Sequence, residues 1–393
     1  MMTVAAALAA HTPRLASSVD LVRRRLLQRT GDVLVHVGDR VDASDVVARE
    51  MLPGRLRVID VAKELGVSPG AVARYLRVQE GETITGGTEL ATVRRLGLRV
   101  KQLLSPVEGL VIGIRNGLLF VRQEPRPRDL AAYVPGEVLE VFPHRGVSIG
   151  TTGAFVGGIW GCGSDHGADY SAAGYSGAEY SGAGYSSAGY SAGVLVVTVD
   201  HPQAPLTWQQ VGIRYRGTVL VGGTLQDPRV LYRARQFRVH GIVAGSMHPG
   251  LRPVCERLGM TVIITEGMGQ IPMAEPVFDL LRSLHGHTAL LGGAPGGDGL
   301  GAAPDLGSGT GPEVIIPQPR GRQTLVREAP RALEVGMVVR LTRPPHVGTV
   351  ARVEAVPVTP QLTAVGIPAM GATVRLSNGQ RVFVPLVNLE VLI

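Results

Sequence analysis

Aromatic side chains are scarce in this sequence. They make up 4% of its 393 residues, too few for the broad base-stacking platforms of proteins that bind single-stranded nucleic acid. Lysine is rarer still, since only Lys63 and Lys101 occur among 39 basic residues, which leaves 39 − 2 = 37 arginines. Because a GC-rich coding sequence alone favours arginine over lysine, we interpret local clusters of arginine and not their total number.

Cysteine and long apolar runs are also lacking. Cys162 and Cys255 are too few for a cysteine-rich metal site, and the pair His285 and His287 has no third ligand. No window holds the ~20 uninterrupted apolar residues of a membrane-spanning helix, and the N-terminal alanines follow no basic segment of the signal-peptide kind. We therefore expect a cytoplasmic protein with free thiols, no metal, no cofactor and no membrane partner.

The sequence does contain an internal repeat. Gly38 and Gly81 each begin a Gly-Asp or Gly-Glu turn, and Val41 and Ile84 are expected to point inward just after it. A small-residue turn and a second strand complete each copy. The copies are VLVHVGDRVDASDVVARE (33–50) and YLRVQEGETITGGTELATV (75–93).

The segments VHVGDRVDASDVVA, VQEGETITGGTELA and SPVEGLVIGI resemble the barrel-sandwich hybrid fold of biotinyl and lipoyl carrier domains. This resemblance implies a β domain over residues 21–160. In the carriers the modified lysine lies at a hairpin tip, commonly within Met-Lys-Met or Asp-Lys, and neither Lys63 nor Lys101 has that setting. The resemblance therefore implies the fold without the carrier chemistry.

Residues 58–77, VIDVAKELGVSPGAVARYLR, match the pattern of a helix-turn-helix, which would place its second helix in the DNA major groove. The alternative is a helical insert over 58–76 that packs on the β domain through apolar residues such as Leu65. No third helix follows to complete a free-standing DNA-binding unit. We favour the insert as a connector, with Arg74 and Arg77 facing solvent or forming ion pairs.

Changes in composition divide the rest of the chain. Tyrosine recurs every five residues among Gly, Ser and Ala, a period of neither helix nor strand, which predicts a low-complexity loop. Farther on, short apolar strands alternate with helices and predict a largely parallel sheet. The predicted segments are an N-terminal tail (1–20), the low-complexity loop (161–193), an α/β domain (194–292) and a Gly/Pro-rich, then basic, linker (293–330).

The final segment, 331–393, has at least four predicted strands and an SNGQ hairpin turn. GMVVRL, HVGTVARV with Gly348, and GQRVFVPLVNLEVL are similar to the KOW-type small barrel of ribosomal proteins and transcription elongation factors. That resemblance implies nucleic-acid or protein partners. The predicted fold class is a multidomain α+β chain: an N-terminal barrel-sandwich hybrid, a central α/β domain with a mostly parallel sheet, and a C-terminal small β-barrel.

One candidate ligand site lies where the α/β strands end. Glu266 closes an apolar strand and precedes Gly267 and Gly269, while Asp227 and His248 hold equivalent strand-to-helix positions. Open α/β sheets bind ligands at this edge, where helix N-termini attract anions. Neither a dinucleotide fingerprint nor a phosphate loop is present, so ordinary glycine turns are the alternative.

A second candidate site is the basic tract that leads into the C-terminal barrel. It contains seven arginines and two acidic residues, Glu328 and Glu334, which give it a net charge of 7 − 2 = +5. Such a tract would contact phosphates and make binding salt-dependent; a solvated linker is the alternative. The arginines are Arg320, Arg322, Arg327, Arg331, Arg340, Arg343 and Arg352.

These features predict a non-catalytic binding or scaffold protein. It would associate with nucleic acid, or with a ribonucleoprotein or transcription assembly, through the basic tract and the small barrel, which also suits protein partners. The competing hypothesis is a small-anion or nucleotide-binding α/β enzyme or sensor that uses the loops around Glu266. No catalytic residue is predicted, because no triad or paired-carboxylate signature is present.

Overall fold

The protein is predominantly β. A computed structural model describes residues 15–95, 99–163, 190–293, 311–318, 326–327, 333–342, 345–346, 348–363 and 366–392. The chain forms two compact units: a larger one of residues 1–26, 33–48 and 130–393, and a smaller one of residues 27–32 and 49–129. No helix in the described ranges is both long and apolar enough to span a membrane.

Strands alternate with short turns through the first part of the chain. The elements are β1 (Leu15–Leu26), β2 (Gly31–Val33), β3 (Arg40–Val41), β4 (Val46–Leu52), β5 (Leu56–Asp60), α1 (Val61–Leu65), β6 (Thr83–Ile84), β7 (Glu89–Arg95), β8 (Arg99–Leu104), β9 (Gly109–Arg115), β10 (Leu118–Arg122), β11 (Arg126–Ala131), β12 (Gly136–Phe142), β13 (Gly146–Gly157) and β14 (Trp160–Cys162).

Helices occur between strands in the middle of the chain, and strands return at its end. The elements are β15 (Tyr190–Val197), β16 (Thr218–Leu225), α2 (Pro228–Gln236), β17 (Gly241–Met247), α3 (Arg252–Leu258), β18 (Thr261–Met268), α4 (Glu275–Ser283), β19 (Thr288–Gly292), β20 (Glu313–Pro317), β21 (Val326–Arg327), β22 (Val338–Leu341), β23 (Val350–Ala355), β24 (Gln361–Leu362), β25 (Pro368–Ala369), β26 (Gly371–Leu376), β27 (Arg381–Pro385) and β28 (Leu389–Leu392).

One mixed sheet of twelve strands organises the larger unit. Its order is β14-β18-β17-β16-β15-β19-β20-β13-β1-β21, with β12 beside β13 and β3 beside β12. Strands β15 to β18 are parallel, as the strand–helix alternation predicts, whereas β19 and β20 are antiparallel. Because β20 pairs with β13, the predicted β and α/β domains share this sheet, and the boundaries drawn between them do not separate two sheets.

The predicted tail and linker also contribute strands. β1 begins at Leu15, inside the predicted tail of residues 1–20. β20, EVIIP, lies inside the predicted linker of residues 293–330, and its first four residues are buried. Because a glycine-rich stretch precedes it, this short apolar strand was not predicted from composition. Of the low-complexity loop predicted for residues 161–193, both ends are strand: β14 extends to Cys162 and β15 begins at Tyr190. Residues 164–189, between them, lie outside the described residues.

Helices cover both faces of the parallel strands. α2 and α3 pack with Leu220 and Ile242 on one face, and α4 packs with Val219 and Val243 on the other. Side chains of successive strand residues point to opposite faces, so each of these strands is apolar on both sides. The loops at the strand ends consequently lie at the edge of a layer that is packed on both faces.

The C-terminal sheet belongs to the larger unit and has five antiparallel strands in the order β27-β26-β23-β22-β28. Its own core includes Val339, Val353 and Val374. Leu392 of β28 also enters the core of the parallel strands. The similarity to a KOW-type barrel remains a prediction from the sequence.

In the smaller unit, strands β5-β10-β9-β6 form one sheet and β7-β8 another. The segment that looks like a helix-turn-helix consists of the five-residue α1 and a 3-10 helix, Pro69–Arg74. Val61, Leu65 and Val72 are buried in the core of this unit. This packing agrees with the connector interpretation.

Candidate nucleic-acid interface

Three neighbouring strands of the C-terminal sheet each carry an arginine at the same level. Arg352 of β23 lies directly opposite Arg375 of β26, which in turn lies opposite Arg381 of β27. Adjacent strands lie about 4.8 Å apart, so the three residues form a line across the strands about 10 Å long. We call Arg352, Arg375 and Arg381 the arginine row.

The hairpin between β26 and β27 aligns two members of this row. Gly379 has a φ of +84°, a left-handed conformation that glycine adopts without strain. The Asn378 Oδ1 atom accepts a hydrogen bond from the Gln380 amide at 2.9 Å. A three-residue loop closed by such a glycine fixes the register of the strands, and Arg375 therefore faces Arg381.

The arginine row is exposed and carries a net positive charge. The side chains of Arg375 and Arg381 are 54% and 67% exposed. Glu354 accepts a hydrogen bond from the Arg375 guanidinium and forms an ion pair with Arg381, with 2.8 Å between the Glu354 Oε2 and the Arg381 Nε. Arg352 donates to the Gly336 carbonyl at 2.9 Å. Three guanidinium groups and one carboxylate give a net charge of 3 − 1 = +2.

A groove of about 520 Å³ lies beside the row. Its charged wall consists of Arg352, Glu354 and Arg375, and Ser377 adds a hydroxyl group. Arginine forks bind phosphate oxygens in pairs, so this surface can hold a phosphate-bearing chain without any base contact. The remaining lining residues are Val338, Val350, Ala351 and Leu376.

Arg352 is the one member of the row that the basic tract contains. Arg375 and Arg381 lie beyond that tract, and a count of local charge misses them. The SNGQ turn is the sequence feature that could have identified them, because a hairpin centred on Asn378 places residues 375 and 381 opposite each other.

The other predicted arginines lie elsewhere. Arg340 of β22 is 1% exposed: its Nη1 donates to Glu266 Oε2 at 2.6 Å and its Nε to Glu390 Oε2 at 2.8 Å. Its guanidinium is thus committed inside the protein and has no exposed surface for a phosphate. Arg327 lies in β21, opposite Asp20 of β1. Four fall outside the described residues: Arg320, Arg322, Arg331 and Arg343.

Glu266, the centre of the other predicted site, is buried at the end of β18. Besides the bond from Arg340, it accepts a hydrogen bond from the Ala274 amide at 3.1 Å, directly before α4. Burial raises the pKa of Glu266, although Arg340 and the Ala274 amide act in the opposite direction. The carboxylate therefore joins the C-terminal sheet to the parallel strands and is not open to a ligand.

The loop after Glu266 is likewise bonded to the neighbouring strand. Gly267 and Gly269 have φ values of +136° and +120°, which let the chain turn back sharply. The Gly269 amide donates to the Met247 carbonyl at 2.8 Å, and the Ile271 amide to the Ser246 Oγ at 2.9 Å. The loop consequently lies over the end of β17, where the sequence predicted an open crevice.

Asp227 and His248 cap two other turns. Asp227 accepts from the Arg229 amide at 2.9 Å at the start of α2, and the His248 Nδ1 accepts from the Gly250 amide at 3.1 Å. Among the contacts of the described residues, none joins either of them to Glu266. Across all the residues that the structure describes, no group of three or more His, Cys, Asp or Glu side chains is placed to hold a metal ion.

No model of a known protein family matches the chain, and a comparison with curated proteins finds no significant relative.

Proposed function

We propose that this protein is a non-catalytic nucleic-acid-binding or scaffold protein whose arginine row contacts the phosphate backbone. The observation that carries the proposal is the direct juxtaposition of Arg352, Arg375 and Arg381 on an exposed face. Like charges directly opposite each other destabilise a sheet, and one shared carboxylate offsets only part of the repulsion. A polyanion supplies the missing negative charge along the whole row.

The chemistry of the surface favours backbone contact over base reading. Aromatic residues make up only 4% of the chain, and none lines the groove, so base stacking contributes little there. Phosphate contacts position a protein on nucleic acid but carry no sequence information. The similarity of this segment to KOW-type barrels supports the same class of partner, a nucleic acid or a ribonucleoprotein or transcription assembly.

Binding of labelled 20-nucleotide duplex DNA, duplex RNA and single strands, measured over a range of salt concentrations, tests this proposal. The triple variant Arg352→Gln, Arg375→Gln, Arg381→Gln should bind at least tenfold more weakly than the wild type near 0.1 M salt. Because each neutralised phosphate contributes about 0.9 to the salt slope on duplex DNA and about 0.7 on single strands, the slope should fall by about 2–3.

A matched control removes the same charge elsewhere. Arg216, Arg257 and Arg282 are exposed on the helical part of the larger unit, and their replacement by glutamine should leave most of the affinity and the slope unchanged. Equal losses in the two triple variants would mean that net charge alone attracts nucleic acid. Undiminished binding by the row variant, with an unchanged melting temperature, would disprove the assignment of the site.

A further inference from the structure

The smaller unit has an apolar sheet face that its own described residues leave exposed. In the sheet β5-β10-β9-β6, Leu119 and Val121 point into the core. The opposite face holds Leu56 and Val58, which are 53% and 51% exposed, together with Leu110 and Ile112, which are also exposed. Exposed apolar side chains gathered in one place mark an interaction site far more often than scattered ones do.

The strand register makes this face continuous. Val58 of β5 lies opposite Phe120 of β10, and Leu56 lies opposite Arg122. Arg122 in turn lies opposite Leu110 of β9. Side chains directly opposite each other in antiparallel strands lie about 5 Å apart, so the apolar residues of three strands form one patch with a guanidinium inside it. We call this patch, with its arginine, the β5 face.

Positive charge on the β5 face has no partner in the described part of the chain. Besides Arg122, the face holds Arg115, which lies at the other end of β9 opposite Leu118 of β10. Both arginines are exposed, and neither forms a hydrogen bond or ion pair with a described residue. Two acidic side chains of this unit are engaged with backbone amides: Asp60 Oδ1 accepts from Lys63 N at 2.9 Å, and Glu80 Oε1 from Ile114 N at 2.8 Å. Glu108 and Glu124 lie just outside β9 and β10 and are exposed, and neither forms an ion pair with Arg115 or Arg122. A partner that brings its own carboxylates therefore complements this face.

We propose that the β5 face docks an acidic, amphipathic segment of another protein. Its apolar side chains would cover Leu56, Val58 and Leu110, and its carboxylates would pair with Arg115 and Arg122. Nucleic acid suits the face less well, because aliphatic side chains offer a phosphate backbone no favourable contact. This surface is independent of the arginine row, so it would give the protein a second partner of a different class.

The experiment selects binders from a displayed library of random 12-residue peptides on the full-length protein, with counter-selection on the double variant Leu56→Asp, Val58→Asp. The enriched peptides should combine Leu, Ile, Val or Phe with Asp or Glu. A synthetic copy of the best one should bind Val58→Asp and Arg122→Glu at least tenfold more weakly than the wild type. Exchanging the peptide's acidic residues for lysine should restore binding to Arg122→Glu.

Leu104→Asp is the matched control. Leu104 lies in β8, outside the four-stranded sheet, and its exposure of 52% is close to that of Leu56. This variant should bind the selected peptide as the wild type does, and unchanged melting temperatures would show that all variants fold.

Four results would overturn the proposal. These are the absence of enriched peptides, enrichment of basic or purely apolar peptides, loss of oligonucleotide binding in Leu56→Asp, and a self-associated wild type that Leu56→Asp converts to monomers. The third result would assign the face to nucleic acid and the fourth to a second copy of this chain.

Discussion

Arginines on neighbouring strands of the C-terminal sheet have opposite environments. Arg340 of β22 is 1% exposed and binds two carboxylates, so its immediate surroundings carry 1 − 2 = −1. The arginine row on β23, β26 and β27 is exposed and shares one carboxylate, which gives +2. Burial turns the first guanidinium into a structural contact, whereas the others remain able to exchange a protein partner for a ligand.

The largest effect should come from removing the buried charge. Arg340→Ala leaves Glu266 and Glu390 buried without their shared cation, and we expect a loss of about 3–5 kcal/mol in the free energy of unfolding. Although burial alone lowers the pKa of Arg340, the two glutamates raise it, so the residue stays charged. Urea denaturation measures the loss, and Arg352→Ala, on the adjacent strand, should shift the midpoint little. Similar midpoints for the two variants would contradict the comparison.

A smaller effect should depend on pH. Because burial raises the pKa of Glu266, the folded protein binds this proton more tightly than the unfolded chain does. The stability that protonated Glu266 contributes is therefore fully present below the ordinary pKa of 4.5. It is lost as the pH rises through the pKa that Glu266 has in the folded protein.

The melting temperature of the wild type, relative to that of Glu266→Gln, should consequently fall as the pH is raised from 4.5. Arg340 and Glu390 remain in both proteins, so the difference isolates this carboxyl. If the melting temperature of the wild type instead rose relative to that of the variant as the pH increased, ion pairing with Arg340 would outweigh the effect of burial.

The smallest effect should come from the carboxylate in the exposed cluster. Glu354→Gln removes the acceptor shared by Arg375 and Arg381, which should cost about 0.5 kcal/mol of stability. It should also strengthen oligonucleotide binding a few-fold, because the row then carries +3. Glu256→Gln breaks a surface pair with Arg252 and serves as the control for net charge. An equal increase in oligonucleotide affinity in both variants would show that the change in net charge, and not the position of Glu354, strengthens binding.

Sequence patterns were most informative where structure depends on nearby residues. The alternation of apolar runs and helices predicted the parallel strands β15 to β18, and Val41 and Ile84 are buried as the repeat predicts. Patterns failed where distant segments meet. β20 was hidden between glycine-rich stretches, and neither the burial of Arg340 nor the alignment of Arg352 with Arg375 follows from local charge.

Two copies of one turn show where this division lies. Gly38 and Gly81 have φ values of +90° and +87°. In each copy the acidic residue after the glycine accepts from an amide three residues earlier: Asp39 from His36 N at 2.7 Å, and Glu82 from Gln79 N at 2.9 Å. The sequence alone determines these turns, because closing a loop of three residues costs little entropy and every group involved is local.

The partners of those turns are a matter of tertiary structure. The Gly38 amide donates to the Val138 carbonyl of β12 in the larger unit, and the Gly81 amide donates to the Val111 carbonyl of β9 in the smaller one. Nearly identical turns thus join different sheets. Backbone groups are the same in every residue and cannot encode a distant partner, so the choice rests on which apolar faces pack together once the whole chain has folded.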